Sequence, residues 1–141
     1  FGRARAAIVF RVTHMQPRDP VGDLCAIVGE DTVRAVARAF YERIPEEPLL
    51  APLYPADDLD GARERLADFL VMRFGGSDAY EQKRGHPRLR MRHAPFAIGL
   101  AERDRWVACM DAALDACIAD VDARERARGF LHEVATFLIN A

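Results

Sequence analysis

The side chains of most chemical interest in this 141-residue sequence are concentrated between Phe74 and Trp106. That stretch, FGGSDAYEQKRGHPRLRMRHAPFAIGLAERDRW, carries two of the four histidines, the single lysine, the single tryptophan and the densest group of arginines. His93 has the most chemical interest. It ends a short basic segment in which Leu89, four residues earlier, shares its helical face, and Pro95 stops any helix just beyond it. A histidine in such a place often does no more than cap carbonyls in solvent. One imidazole is too few ligands for a structural zinc, yet it suffices for haem iron, because the porphyrin already supplies four nitrogens. His86, seven residues earlier, is about 10 Å away along a helix and cannot share an ion with His93 in that geometry. His132 falls on the polar side of the last helix, and His14 lies in an N-terminal extension.

Tyr41, Tyr54 and Trp106 each fall on inward-facing positions. One reading makes them large core residues whose O–H or N–H meets a backbone carbonyl. The other has all three point polar hydrogens into one cavity otherwise lined by Phe40, Ala62 and Leu66. Lys83, Arg84, Arg88, Arg90 and Arg92 could form a nucleic-acid patch. Against it stand the net charge of −2 and the lack of aromatic platforms on the same face. An anion with two carboxylates, such as haem with its propionates, fits these arginines as well. There is no GxSxG, P-loop or HExxH motif, so acyl- or phosphoryl-transfer chemistry is not expected.

These residues need walls to work against, and the bulk sequence supplies them. A chain of 15.8 kDa with half its residues hydrophobic makes one domain able to bury roughly 68–70% of its unfolded surface. Cys109 and Cys117 are eight apart on one predicted helix, about 12 Å of rise, which forbids a bridge between them. With Cys25 they are expected to be reduced, buried thiols in a cytoplasmic protein. No CxxC motif points to zinc, and no run approaches the ~18 apolar residues of a membrane span. The apolar patch Ala6–Phe10 is shorter than a signal-peptide core of roughly 7–15 residues. Residues 1–22 read as an extension without fixed structure, with 1–14 upstream of the native start, and the folded domain is expected over 23–141.

Within that domain the apolar spacing is helical throughout, and an all-α fold is expected. Asp23–Val28 is a short start broken by Gly29. Asp31 or Thr32 is expected to cap a helix burying Val33, Val36, Ala37, Phe40, Tyr41 and Ile44, stopped by Pro45. The proline-rich 45–57 connection is expected to pack inward through Leu49, Leu50, Leu53 and Tyr54. Asp57 or Asp58 caps the next helix, which carries Ala62, Leu66, Phe69 and Leu70 and ends at Gly75. Residues 77–86 read as a polar loop with one turn near Tyr80, and Pro87 as the first residue of a short helix through His93. Gly99 opens a helix burying Trp106, Met110 and Leu114. Asp122 is expected to cap the last one, with Leu131, Val134, Phe137 and Leu138 on its buried face.

Taken together, YEQKRGHPRLRMRHAPFAIG, ERDRW, AFYERI and LYPADDLDGARERLADFL resemble the group II truncated haemoglobins over about residues 23–141, with RGHPRLRMRHAPF the most specific string. The resemblance implies a two-over-two helical sandwich around haem b with His93 as proximal ligand. It places distal ligand-binding tyrosines at Tyr41 and Tyr54, the distal tryptophan at Trp106, and a small distal residue at Ala62. Leu66, Phe40 and Leu89 would touch the haem, and Arg65, Tyr80 and Arg92 its propionates. Glu30 after Gly29, where a second glycine is usual, and Cys25 in place of an aromatic depart from the pattern near the start. The implied function is reversible binding of O2, and of CO and NO, with tight O2 retention. The alternative is a haem enzyme, a peroxidase or NO dioxygenase, served by a reductase. A haem-free helical interaction module is the third class. Neither nucleic acid nor membrane is an expected partner, and a homodimer is left open.

Overall fold

The computed structural model describes residues 19–141, so the expectations for residues 1–18 lie outside it. Among the described residues all regular structure is helical: α1 (Leu24–Val28), α2 (Glu30–Arg43), α3 (Leu59–Arg73), α4 (Ala79–Arg84), α5 (Leu89–His93), α6 (Leu100–Cys117) and α7 (Val121–Phe137). Two 3₁₀ turns, Ile44–Glu46 and Ala51–Leu53, carry the proline-rich connection. The main packing runs α2 on α3, α2 on α6 and α6 on α7, two helix pairs laid one over the other. Their apolar stripes meet in one core containing Val33, Val36, Phe40, Leu70, Met110 and Leu114, all at most 1% exposed. Val21 belongs to this core and Asp19 pairs with Arg73, so the packed body reaches back to residue 19.

Helix ends follow local chemistry, with several differences from the sequence reading. Asp58 caps α3 by accepting from Gly61 N–H at 3.1 Å, as expected. The α2 cap is Gly29 rather than Asp31 or Thr32, because Gly29 takes a φ of +90° that only glycine adopts easily. At α7 the cap is Asp120 rather than Asp122, and it accepts from Ala123 N–H at 2.8 Å. In α6, Glu102 reaches back to accept from Gly99 N–H at 2.8 Å. The end of α3 is a Schellman motif: Gly75 N–H donates to Met72 O and Gly76 N–H to Val71 O, with Gly75 at φ +88°.

Around the site, the single turn expected near Tyr80 is present and extends to a six-residue helix, Ala79–Arg84, within the segment read as a polar loop. Pro87 lies outside α5, because Arg88 takes a left-handed φ of +45° and helical geometry begins only at Leu89. Leu49 and Phe137 were expected inside but are 44% and 54% exposed. In the connection Leu50 is buried and Leu53 packs partly against the core, while Arg90 stacks on Phe137 with its guanidinium 5.0 Å from the ring centroid.

Candidate functional site

A cavity of about 350 Å³ lies between the helical layers. Every site residue expected from the sequence borders it. Helix α2 supplies Phe40 and Tyr41, the following connection Tyr54, and α3 Ala62, Arg65 and Leu66. Tyr80 enters from α4, Leu89, Arg92 and His93 from α5, and Trp106 from α6. The helical period explains this grouping: Ala62 and Leu66 are one turn apart on α3, as Leu89 and His93 are on α5.

His93 is partly buried, and its Nδ1 lies 2.7 Å from the carbonyl oxygen of Leu89. A carbonyl can only accept, so in the neutral ring the proton sits on Nδ1 and Nε2 keeps its lone pair. That tautomer is the one able to ligate a metal through Nε2. Among the described residues no group of three or more His, Cys, Asp or Glu is placed to hold a metal ion.

The polar hydrogens are held by a chain of aromatic contacts. Phe40 packs edge-on against Tyr41 at 5.2 Å and lies 5.4 Å from Trp106, while Tyr41 meets Tyr54 edge-on at 5.4 Å. Burial lifts the Tyr41 phenol far above its usual range; neighbouring Tyr54 adds to this and Arg65 slightly opposes it. Burial also lifts Tyr54, with the indole N–H of Trp106 pulling it partly back. Both phenols therefore stay protonated and able to donate at any ordinary pH.

The basic cluster is divided by the fold. Lys83 and Arg84 turn away from the cavity to Asp68, at 3.3 and 3.4 Å, and Arg34 reaches the same carboxylate at 3.0 Å. Of the five clustered cations only Arg92 borders the cavity, where it donates to the carbonyls of Arg84 and His86. Arg65, from outside the cluster, joins it and also pairs with Asp58 at 3.5 Å. Asp68, only 3% exposed, is the residue that sequence reasoning missed. Its signal was there: a single carboxylate in the apolar run LADFLVM must find cations once the run is buried. Burial pushes its pKa up, but hydrogen bonds from Arg34 and Lys83 hold it below the ordinary aspartate value. Phe69, Phe96 and Ile98 also border the cavity without having been singled out for it. Phe69 had been placed on the buried stripe of α3, whereas Phe96 and Ile98 sit beyond Pro95, where periodicity carries no information.

Two helix pairs enclosing one mainly apolar cavity, with one imidazole and a set of phenol and indole donors on its walls, define a globin-like fold. A family profile described as Bacterial-like globin matches residues 25–140. The chain is 36% identical over 113 residues to Group 2 truncated hemoglobin YjbI of Bacillus subtilis, an overlap covering 80% of this chain and 85% of that protein. It superposes on the hemoglobin of the thermophilic phototroph Chloroflexus aurantiacus with a TM-score of 0.81 and 40% identity, covering 84% of this chain and 98% of the other. For a truncated oxygen-avid haemoglobin from Bacillus subtilis the TM-score is 0.78 at 34% identity, covering 84% and 99%. This chain belongs to the bacterial-like globin family, in agreement with the group II truncated haemoglobin resemblance read from its sequence.

Proposed function

We propose that this protein holds haem b through His93 Nε2 and retains O2, or another diatomic such as CO or NO, beside Tyr41, Tyr54 and Trp106. The observation that carries the reading is the 2.7 Å contact from His93 Nδ1 to Leu89 O, which commits the proton and leaves Nε2 free in a cavity-lining ring. The other walls suit the same group. Phe40, Leu66 and Leu89 offer apolar surface to a flat ring system, Ala62 leaves space for a ligand, and Arg65, Arg92 and Tyr80 offer donors to its carboxylates. Haem supplies the one thing these side chains lack, a ferrous iron with an open position.

The protein's own contribution is electrostatic. Protonated phenols and an indole N–H beside the ligand space favour any diatomic that gathers negative charge, and they do so where little water screens them. Tight O2 retention with slow release follows. Turnover of peroxide or NO is the second reading of this pocket. The same donors could polarise a peroxide, whose reduction would draw two electrons from a reducing co-substrate, while reaction of bound O2 with NO would need a reductase to return the iron to the ferrous state. Three free thiols, two of them buried, suit a cytoplasmic setting, and no described helix is long and apolar enough to cross a membrane.

Visible spectra of the purified protein in ferric, ferrous and CO-bound states test the proposal, with His93→Gly beside the wild type. A Soret band in the wild type, altered in His93→Gly and restored by added imidazole, is the expected result. A colourless wild type that takes up no added haem would sink it. Steady turnover of peroxide or NO with an identified reductase would move the assignment to the enzyme.

A further inference from the structure

His93 sits at the end of a helix of only five residues, too short to fix its own position. Its ring is oriented within the helix by Leu89 O, but something outside must hold the helix against the cavity. On the leading side Arg92 does this by donating to Arg84 O and His86 O. On the trailing side the partner is Asn140, just past α7. Its Nδ2 donates to His93 O at 3.3 Å and to Phe96 O at 3.0 Å, and its Oδ1 accepts from Ile98 N–H at 2.8 Å. The Asn140 backbone N–H also donates to Ile98 O at 2.8 Å. One side chain thus ties down three backbone groups across residues 93–98, the stretch in which Pro95 rules out a continuing helix.

The structure assigns Asn140 the role of positioning residue for His93, an inference that rests on the axial-ligand reading above. The chemistry is specific to a carboxamide. Two carbonyls face its nitrogen, of which His93 O also accepts from Phe96 N–H at 3.0 Å, and one N–H faces its oxygen; an amide serves both kinds of group from one rigid plane. A carboxylate of the same shape serves the N–H and repels the carbonyls, while an apolar side chain serves none. Through this clamp, the end of α7 sets where the His93 backbone lies and so how squarely its imidazole meets the iron.

Three variants test it: Asn140→Asp, which loses the two donor bonds; Asn140→Leu, which loses all three side-chain bonds; and Asp120→Ala, which uncaps the opposite end of α7. In the ferrous, ligand-free protein, the iron–histidine stretching band in resonance Raman spectra should shift beyond its linewidth in both Asn140 variants and stay in place in Asp120→Ala. Haem transfer to an acceptor globin should speed by about fivefold in Asn140→Asp, the factor for about one net hydrogen-bond contribution, because of the two carbonyls released His93 O keeps its bond from Phe96 N–H. In the haem-free protein, amide exchange at Ile98 should quicken in Asn140→Leu and remain slow in Asn140→Asp, which keeps the acceptor. An unmoved band in both Asn140 variants, or an equal shift in Asp120→Ala, overturns the inference and leaves the axial ligand intact. A wild type without a Soret band overturns both.

Discussion

Trp106→Phe is the substitution that most directly tests how the cavity retains a ligand. It removes one N–H from the wall while keeping an aromatic ring against Phe40, whose centroid lies 5.4 Å from that of the indole. A hydrogen bond to a charged partner contributes about 1.5–3 kcal/mol, equivalent to about 10- to 150-fold in a dissociation constant. Two features place the effect near the lower end. The Trp106 indole opposes part of the burial-driven rise of the Tyr54 phenol, so the two groups are neighbours and Tyr54 competes with a ligand for that donor. Tyr41 and Tyr54 also remain protonated and can take up part of the donation, so the three contributions do not add. The expected result is O2 release about tenfold faster, measured by stopped-flow displacement of O2 with CO. CO release provides the control, since CO gathers less charge and responds weakly to donors, whereas a change in cavity shape would alter both gases. Unchanged O2 release, or equal acceleration for O2 and CO, refutes the donor role.

Three further substitutions address the axial ligand and the scaffold. His93→Gly should lose the axial nitrogen and regain a wild-type-like ferrous CO spectrum when imidazole is added; failure of that rescue would mean the haem is held elsewhere. Asp68→Asn should cost about 1–3 kcal/mol at neutral pH, since the buried carboxylate is replaced by a weaker partner for Arg34, Lys83 and Arg84. Because the folded pKa of Asp68 lies below its ordinary value of 3.8, its stabilisation is complete above that value and is lost as pH falls through the lower, folded one. Denaturant unfolding should therefore separate wild type and Asp68→Asn at pH 7 and bring them together in strong acid; a gap independent of pH would deny the ion-pair account. Gly75→Ala places a Cβ against the carbonyl oxygen of Gly22 on a residue at φ +88°, and should lower stability by about 2 kcal/mol or more in thermal or denaturant melts. A neutral result would mean that the α1–α3 junction yields at little cost.

How much of this was legible in the sequence depended on the range of the interaction involved. Helical periodicity reports which face of a segment is apolar, and it correctly marked the buried stripe from Val33 to Ile44 and the placing of Ala62 and Leu66 toward one side. It failed where two local signals competed. The α2 cap went to Gly29, whose backbone freedom outweighed the side chains of Asp31 and Thr32, and Asp120 preceded Asp122 at the start of α7. Lys83 and Arg84 were read as partners for an external anion because the carboxylate that takes them lies 15 and 16 residues earlier, on another helix.

By itself the sequence determined the helical class, the breaks at the prolines and glycines, and a family likeness carried by the string around His93, since all of these rest on neighbours within a turn or two. Tertiary structure decided between the two readings of Tyr41, Tyr54 and Trp106 by placing them on one cavity with His93, and it alone showed that Asp68 gathers three cations and that Asn140 reaches back 47 residues to the His93 carbonyl. The physical reason is that a hydrogen bond between distant segments leaves no periodic trace in either of them. It exists only once the apolar faces have packed and brought the two backbones within about 3 Å of a donor.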